Sequence, residues 1–420
     1  MNFEVLKRSH VKRNILIGVI IVLILSAIIL TFTKAKYKIT ESLPLVNGTI
    51  NYELSDFNLI GAYIQTEGDN YTQVNEIPTS GYEFNAEKSY CTVNNENINV
   101  TLSYDMETQN LTVTPLTTKG TKCYLYFDVK SDPATDVIEG IYEENQGILA
   151  YDNTVDNNLR YIGADPNNYV YFNCEDYNNP SNSTCELWRI IGIFNENSHG
   201  ISGEKLIKLI RSDSLGNMAW NSDSDNNSWT ESNVKTILNG DYLNGSGTYV
   251  SNGIKNDTTR NMIATVTWKL GSSTTYKDVT SNIFYERERG TTVYSGRPTT
   301  WQGKIALMYP SDYGYATSGG TTTNRNTCLA QALYNWNSSS FSDCKNNNWI
   351  YDNNKLLWTL TVSHGLRSIY TIFDTGFVVD NYDYGGAAAT NHVLPSLYLS
   401  PEVSIIEGEG TINNPYTLQN

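Results

Sequence analysis

From Asn14 to Thr33 the chain carries no charged residue, and Ile15 to Leu30 is almost wholly Ile, Leu and Val. Twenty residues at about 1.5 Å each reach the roughly 30 Å of a bilayer core. Residues 14–33 are therefore predicted to form a transmembrane signal anchor behind a cytoplasmic tail, residues 1–13. No small-x-small cleavage site follows, because Thr33, Lys34, Ala35 and Lys36 lead straight into a Lys-rich stem. Lys7, Arg8, Lys12 and Arg13 precede the span while Lys34, Lys36 and Lys38 follow it, a small preference for a cytoplasmic N-terminus. The expected location is a single pass of the cell membrane with extracellular C-terminal domains.

Beyond the stem the apolar pattern changes to a period of two. Ile98, Val100, Leu102 and Tyr104 alternate with polar residues, as do Leu111 and Val113, and then Cys123, Leu125, Phe127 and Val129. Short alternating runs separated by Asn, Asp, Thr and Gly predict antiparallel strands with one buried face. Residues 37–130 are expected to be a small β-sandwich with a hairpin loop at Asp105–Asn110, and residues 131–136 a linker. The remainder, residues 137–420, reads as one large domain. Its strands are expected at Tyr169–Phe172, Leu187–Phe194, Lys205–Arg211, Ile305–Met308, Gly376–Val379 and Leu397–Leu399. Helices are few: Asn233–Leu238 with Thr230 or Ser232 as cap and Gly240 as stop, Ser281–Arg289, and Thr327–Tyr334. Asn221–Ser228 and Ser318–Asn326 are long polar loops, expected to bind a ligand or to be mobile decoration. The fold class is α+β, mostly β.

Composition sharpens the division. All eight tryptophans lie between Trp188 and Trp358. The six cysteines, Cys91, Cys123, Cys174, Cys185, Cys328 and Cys344, fall into three local couples after the apolar run, which suits disulfides in an oxidising compartment. Sequential pairing is the simplest of the 15 connectivities open to six cysteines. Without residues 1–38 the chain has 22 basic and 43 acidic residues, a surface that repels nucleic acid. The expected partners are the membrane, through the N-terminal helix, and a glycan or protein outside the cell.

Three strings carry a resemblance: DNNLRYIGADPNNYVYFN at 156–173, ELWRIIGIF at 186–194 and LMYPSDYGYA at 307–316. They resemble a group of single-pass surface proteins of gut Firmicutes and related bacteria. In that group an anchor and a small sandwich precede a loop-rich C-type-lectin-like (formylglycine-generating-enzyme-like) domain. The closing strings WTLT at 358–361, GFVV at 376–379 and LPSLYL at 394–399 are similar to the end of that fold, although Leu394 stands where the pattern has Arg. The resemblance implies a fold and no activity. With its six cysteines paired the chain offers no free thiol for copper, and His199, His364 and His392 show no ligand spacing for iron. No cofactor is expected.

Candidate chemistry is sparse. Asp223, Asp225 and Asn227 alternate as at the start of a calcium loop, but the sixth position is Ser228 and the twelfth Val234, where Gly and Glu are required. Ser363, Asp383 and His392 supply the residue types of a hydrolytic triad without a nucleophile elbow. Tyr370, Phe373, Asn381, Tyr382, Asp383, Tyr384 and His392 combine aromatic area with short polar groups, the composition of an adaptable recognition surface. Two function classes stay open: a non-enzymatic ligand-binding or adhesion ectodomain, and an extracellular hydrolase with a loop-built site. A structural spacer of the cell surface is the third.

Overall fold

A computed structural model describes residues 58–419, apart from 67–69, 79–81, 107, 116–119, 130–131 and 146. The expected tail and membrane span, residues 1–33, lie outside the described residues. The chain divides into two compact units, residues 1–130 and 131–420.

The first unit is built on a five-stranded sheet with the order β2-β1-β7-β3-β4. Its strands are β1 (Asn58–Gln65), β2 (Tyr71–Val74), β3 (Tyr82–Val93), β4 (Glu96–Ile98) and β7 (Lys122–Val129). A hairpin of β5 (Thr101–Asp105) and β6 (Asn110–Thr114) closes at the Asp105/Asn110 pair. Leu102, Tyr104 and Leu111 of the hairpin share one buried cluster with Ala62, Leu125 and Phe127 of the sheet. Tyr104 meets Phe127 edge-on at 5.5 Å. Cys91 and Cys123 are direct partners in the β3–β7 ladder and form a disulfide. The expected antiparallel sandwich is corrected in two ways. Strand β1 runs parallel to β7, and the layer over the sheet is a single hairpin.

The second unit carries a seven-stranded sheet, β16-β21-β12-β11-β9-β8, with β10 also paired to β11. These strands are β8 (Leu149–Tyr151), β9 (Leu159–Tyr161), β10 (Tyr169–Phe172), β11 (Glu186–Asn195), β12 (Lys205–Arg211), β16 (Ile305–Leu307) and β21 (Pro395–Tyr398). Trp188 to Phe194 are buried without interruption, the signature of a strand covered on both faces. Gly192 lies at a register shift where β9 crosses β11, and a Cβ there would fall 2.1 Å from the Leu159 carbonyl oxygen. A second sheet has the order β13-β20-β17-β18-β19, from β13 (Asn217–Ala219), β17 (Leu357–Val362), β18 (Ile369–Ile372), β19 (Val378–Asp380) and β20 (Thr390–His392). Two ribbons complete the strands: β14 (Val266–Lys269) with β15 (Thr300–Gly303), and β22 (Ser404–Glu407) with β23 (Thr417–Gln419).

The helices are short; among them are α1 (Ala134–Glu144), α2 (Asn233–Ile237), α3 (Ser281–Glu288), α4 (Pro310–Tyr315) and α5 (Arg325–Leu329). Ser232 caps α2 by accepting from the Lys235 N–H at 3.0 Å, and Thr280 caps α3 from the Ile283 N–H at 3.3 Å. Helix α1 occupies part of the expected linker. The expected fold class is corrected. The described chain is mostly β, 35% strand against 22% helix in several sheets. Among the described residues no helix is long and apolar enough to cross a membrane. The 11 residues of α1 span only about 16 Å.

Cys174–Cys185 and Cys328–Cys344 are disulfides of this unit. All three bridges join sequence neighbours, and among the described residues no cysteine is free. Three disulfides fit an extracellular or secreted protein.

Candidate ligand-binding surface

The edge of the second sheet, at β18 and β19, carries a row of aromatic rings. Strands β18 and β19 join through a tight turn in which Phe373 N–H donates to the Phe377 carbonyl at 2.9 Å and Gly376 N–H to the Phe373 carbonyl at 2.8 Å. Gly376 has φ of 89°, a conformation that glycine adopts without steric cost. After β19 the chain is anchored by Asn381, whose amide donates to the Gly386 carbonyl at 2.6 Å and accepts from the Ile369 N–H at 2.8 Å. That buried amide holds residues 382–384 as a raised turn, leaving Tyr382 and Tyr384 58% and 56% exposed.

Tyr384 is not isolated. It packs on Phe373 at 4.8 Å between ring centroids, Phe373 on Phe377 at 4.9 Å, Phe377 on Tyr334 at 5.7 Å and Tyr334 on Tyr276 at 5.1 Å. Arg367 lies over the Tyr382 ring at 5.4 Å. Five rings thus form a ribbon along the sheet edge, with Tyr382 beside it. Asp380 adjoins the ribbon; its carboxyl is raised by burial and by the Asp383 charge, against a lowering backbone bond from Tyr382. Burial, then Asp380, likewise raises the Tyr276 phenol.

The sequence-predicted residues fall into three groups. Tyr382, Asp383 and Tyr384 are exposed on the raised turn, with Phe373 beneath them. Tyr370 and Asn381 are buried scaffold: the Tyr370 hydroxyl donates to the Ser273 and Thr275 carbonyls at 3.1 Å each, fixing the loop that carries Tyr276. His392 is elsewhere, on β20. Three strand spacings, about 14 Å, separate β20 from β19. Tyr276, Tyr334 and Phe377 escaped the sequence reading because they come from three segments that only the tertiary fold aligns.

The hydrolytic triad is not assembled. The His392 ring nitrogen Nδ1 lies 3.1 Å from the Ser214 hydroxyl, and Ser363 belongs to the β17–β18 turn through its N–H bond to Ser368. Ser214 is itself engaged by its own turn, accepting from the Gly216 N–H at 2.9 Å. Burial, then the Lys355 charge, holds His392 below its usual pKa. The calcium candidates also point apart. Asp223 accepts from the Asp225 N–H at 2.9 Å, whereas the Asn227 amide is buried and donates to the Ser368 carbonyl at 2.6 Å. Among the described residues no group of three or more His, Cys, Asp or Glu is placed to hold a metal ion.

Sequence reasoning also passed over a buried cluster of charges. Arg160 joins two carboxylates, Asp152 at 2.9 Å and Asp312 at 2.7 Å, and Lys208 binds the other Asp312 oxygen at 2.6 Å. Glu288 accepts from the Ser311 N–H at 3.0 Å and lies 3.2 Å from Arg289. Asp156 accepts from the Tyr285 hydroxyl, whose ring lies 3.3 Å under the Arg289 guanidinium. Burial works to raise Asp312, but Lys208 and Arg160 overcome it and hold the carboxyl low. Burial brings Lys208 down to about 8 and Glu288 up to about 7. Strongly shifted groups often mark active sites. Here Arg160, Lys208, Asp312 and Glu288 are at most 1% exposed, so a substrate has no contact with them.

Comparison of the chain with family models, with curated proteins and with solved structures finds no match.

Proposed function

We propose that the second unit is a non-enzymatic recognition module of an exported protein, and that it binds glycans at the aromatic edge of its second sheet. The observation that carries this reading is the pair of half-exposed tyrosines held on a buried asparagine at the end of a five-ring ribbon. Exposed rings on mobile loops lose entropy on binding; rings on a pinned turn lose little. Sugar rings offer C–H faces that pack on aromatic faces, and their hydroxyls donate to carboxylates such as Asp380 and Asp383. The disulfides support a location outside the reducing cytosol.

A glycan array probed with the full-length, disulfide-bonded chain tests the reading. Saturable binding is expected to fall about tenfold or more in the Tyr382→Ala/Tyr384→Ala double variant, as for removal of a central aromatic anchor. Binding unchanged in that variant, or no glycan retained by the parent chain, contradicts it.

A further inference from the structure

A crevice of about 180 Å³ opens between the two large sheets of the second unit, at the ends of β12 and β17. Its floor is apolar, from Ile210, Leu357 and Leu394. Its walls are unlike the rest of this acidic chain, which has a net charge of −15. Three cations, Arg189, Arg211 and Lys355, line it against one carboxylate, Asp352.

Arg211 is consumed by Glu186, which it meets at 2.9 and 3.3 Å. Arg189 is only partly consumed. Its guanidinium is clamped between the rings of Tyr169 at 4.1 Å and Trp349 at 4.7 Å. Nε donates to Asn168 at 2.7 Å, and Nη2 to Asp165 at 3.0 Å and to the Pro166 carbonyl at 3.2 Å. Nη1 has no hydrogen-bond partner among the described residues. Ser212 completes the wall beside Arg211. Lys355 stands at the rim, 2.6 Å from Asp352, with both side chains 30% exposed.

We propose that this crevice binds the carboxylate of a small organic acid. A carboxylate is the acceptor that answers the remaining guanidinium nitrogen, Nη1, with an ammonium beside it. The Tyr169–Arg189–Trp349 stack fixes the guanidinium before the ligand arrives. The body of the acid lies on the apolar floor. At about 30 Å³ per water, the crevice holds the volume of roughly six waters, which suits a body of roughly six to ten non-hydrogen atoms. The site shares no residue with the aromatic ribbon, so it stands or falls separately from glycan recognition there. Two sources offer this chemistry, the acidic sugar of a glycan and a free apolar acid.

Calorimetric titration of the full-length, disulfide-bonded chain with glucuronate, benzoate and benzamide tests the proposal. At least one acid is expected to bind with a dissociation constant at or below about 1 mM, and benzamide at least about tenfold more weakly than benzoate wherever benzoate binds. Preference for glucuronate assigns the source to an acidic sugar, and preference for benzoate to a free acid. Lys355→Gln should weaken the acid about threefold to tenfold and reduce its salt dependence. The proposal is overturned if neither acid binds, if benzamide and benzoate bind alike, or if the Lys355→Gln variant binds the acid as the parent does.

Discussion

Glu288 is the group whose protonation the fold alters most usefully for experiment. It ends α3 fully buried, accepting from the Ser311 N–H at 3.0 Å and the Ser311 hydroxyl at 2.5 Å, with Arg289 at 3.2 Å. Burial outweighs Arg289 and Ser311 and moves its pKa from 4.5 up to about 7. Between those values the native protein holds a proton that the unfolded chain has released. Stability therefore falls as pH rises through this window, and the loss is complete above about pH 7. A displacement of about 2.5 units corresponds to about 3 kcal/mol, at about 1.4 kcal/mol per unit. Glu288→Gln has no proton to exchange, and its altered hydrogen bonding to Ser311 and Arg289 adds an offset that does not depend on that titration. The variant's stability minus that of the parent should therefore rise by about 3 kcal/mol from pH 4.5 to pH 8. Urea unfolding followed by tryptophan fluorescence measures this, because all eight tryptophans lie in the second unit. A difference that is flat with pH, or that falls, would refute the assignment of Glu288 as a buried neutral acid.

Asp312 is held by two cations whereas Arg160 serves two carboxylates. Arg160→Met should thus cost about 3–5 kcal/mol by stranding buried charge, and Lys208→Met clearly less; urea midpoints in the reverse order would contradict that division. Gly192→Ala places a methyl 2.1 Å from the backbone oxygen of Leu159, which cannot yield as a side chain would. It should cost about 1–3 kcal/mol or more in the same assay, and a neutral result would mean that β9 does not cross β11 so closely. The Cys91→Ser/Cys123→Ser pair opens a loop with a separation of 32 residues and should remove about 4 kcal/mol from the first unit. Proteolysis should then attack residues 58–129 while the tryptophan signal stays native, and equal protection of parent and variant would contradict this.

Much of the first unit was legible in its alternation. Leu102, Tyr104, Leu125 and Phe127 are buried as a period of two requires, and the hairpin turns where Asp105 and Asn110 suggested. Alternation does not encode strand direction, so the parallel β1–β7 pair was invisible. In the second unit the long apolar strands were readable, since β11 and β12 each bury five or more consecutive residues. Strands of three residues such as β8, β9 and β20 were not, because three positions carry no period. Helix α1 does carry a signal in the sequence: Val137, Ile138, Ile141 and Tyr142 repeat at helical spacing beyond Pro133. In the late aromatic segment composition alone could not separate exposed Tyr382 and Tyr384 from buried Tyr370. Their exposure is decided by Asn381, whose role depends on hydrogen bonds to Gly386 and Ile369.

The charge cluster and the aromatic edge are better understood together. Arg160 lies 4.2 Å over Phe194, Lys208 4.4 Å over Tyr309, and Arg289 3.3 Å over Tyr285, so each cation is enclosed by rings as well as by carboxylates. A substrate could reach these groups only by unpacking β9, β12, α3 and α4 from one another. What the cluster does supply is discrimination among packings. Each charge tolerates burial only with its particular partner, so arrangements that separate Asp312 from Arg160 and Lys208 are strongly disfavoured. The aromatic edge then inherits a rigid support: the Tyr313 hydroxyl of α4, next to Asp312, donates to the Gly376 carbonyl at 2.8 Å, in the turn that carries Phe373 and Phe377. Charge thus holds the interior of this unit, whereas the rings of Tyr382 and Tyr384 stand at its surface.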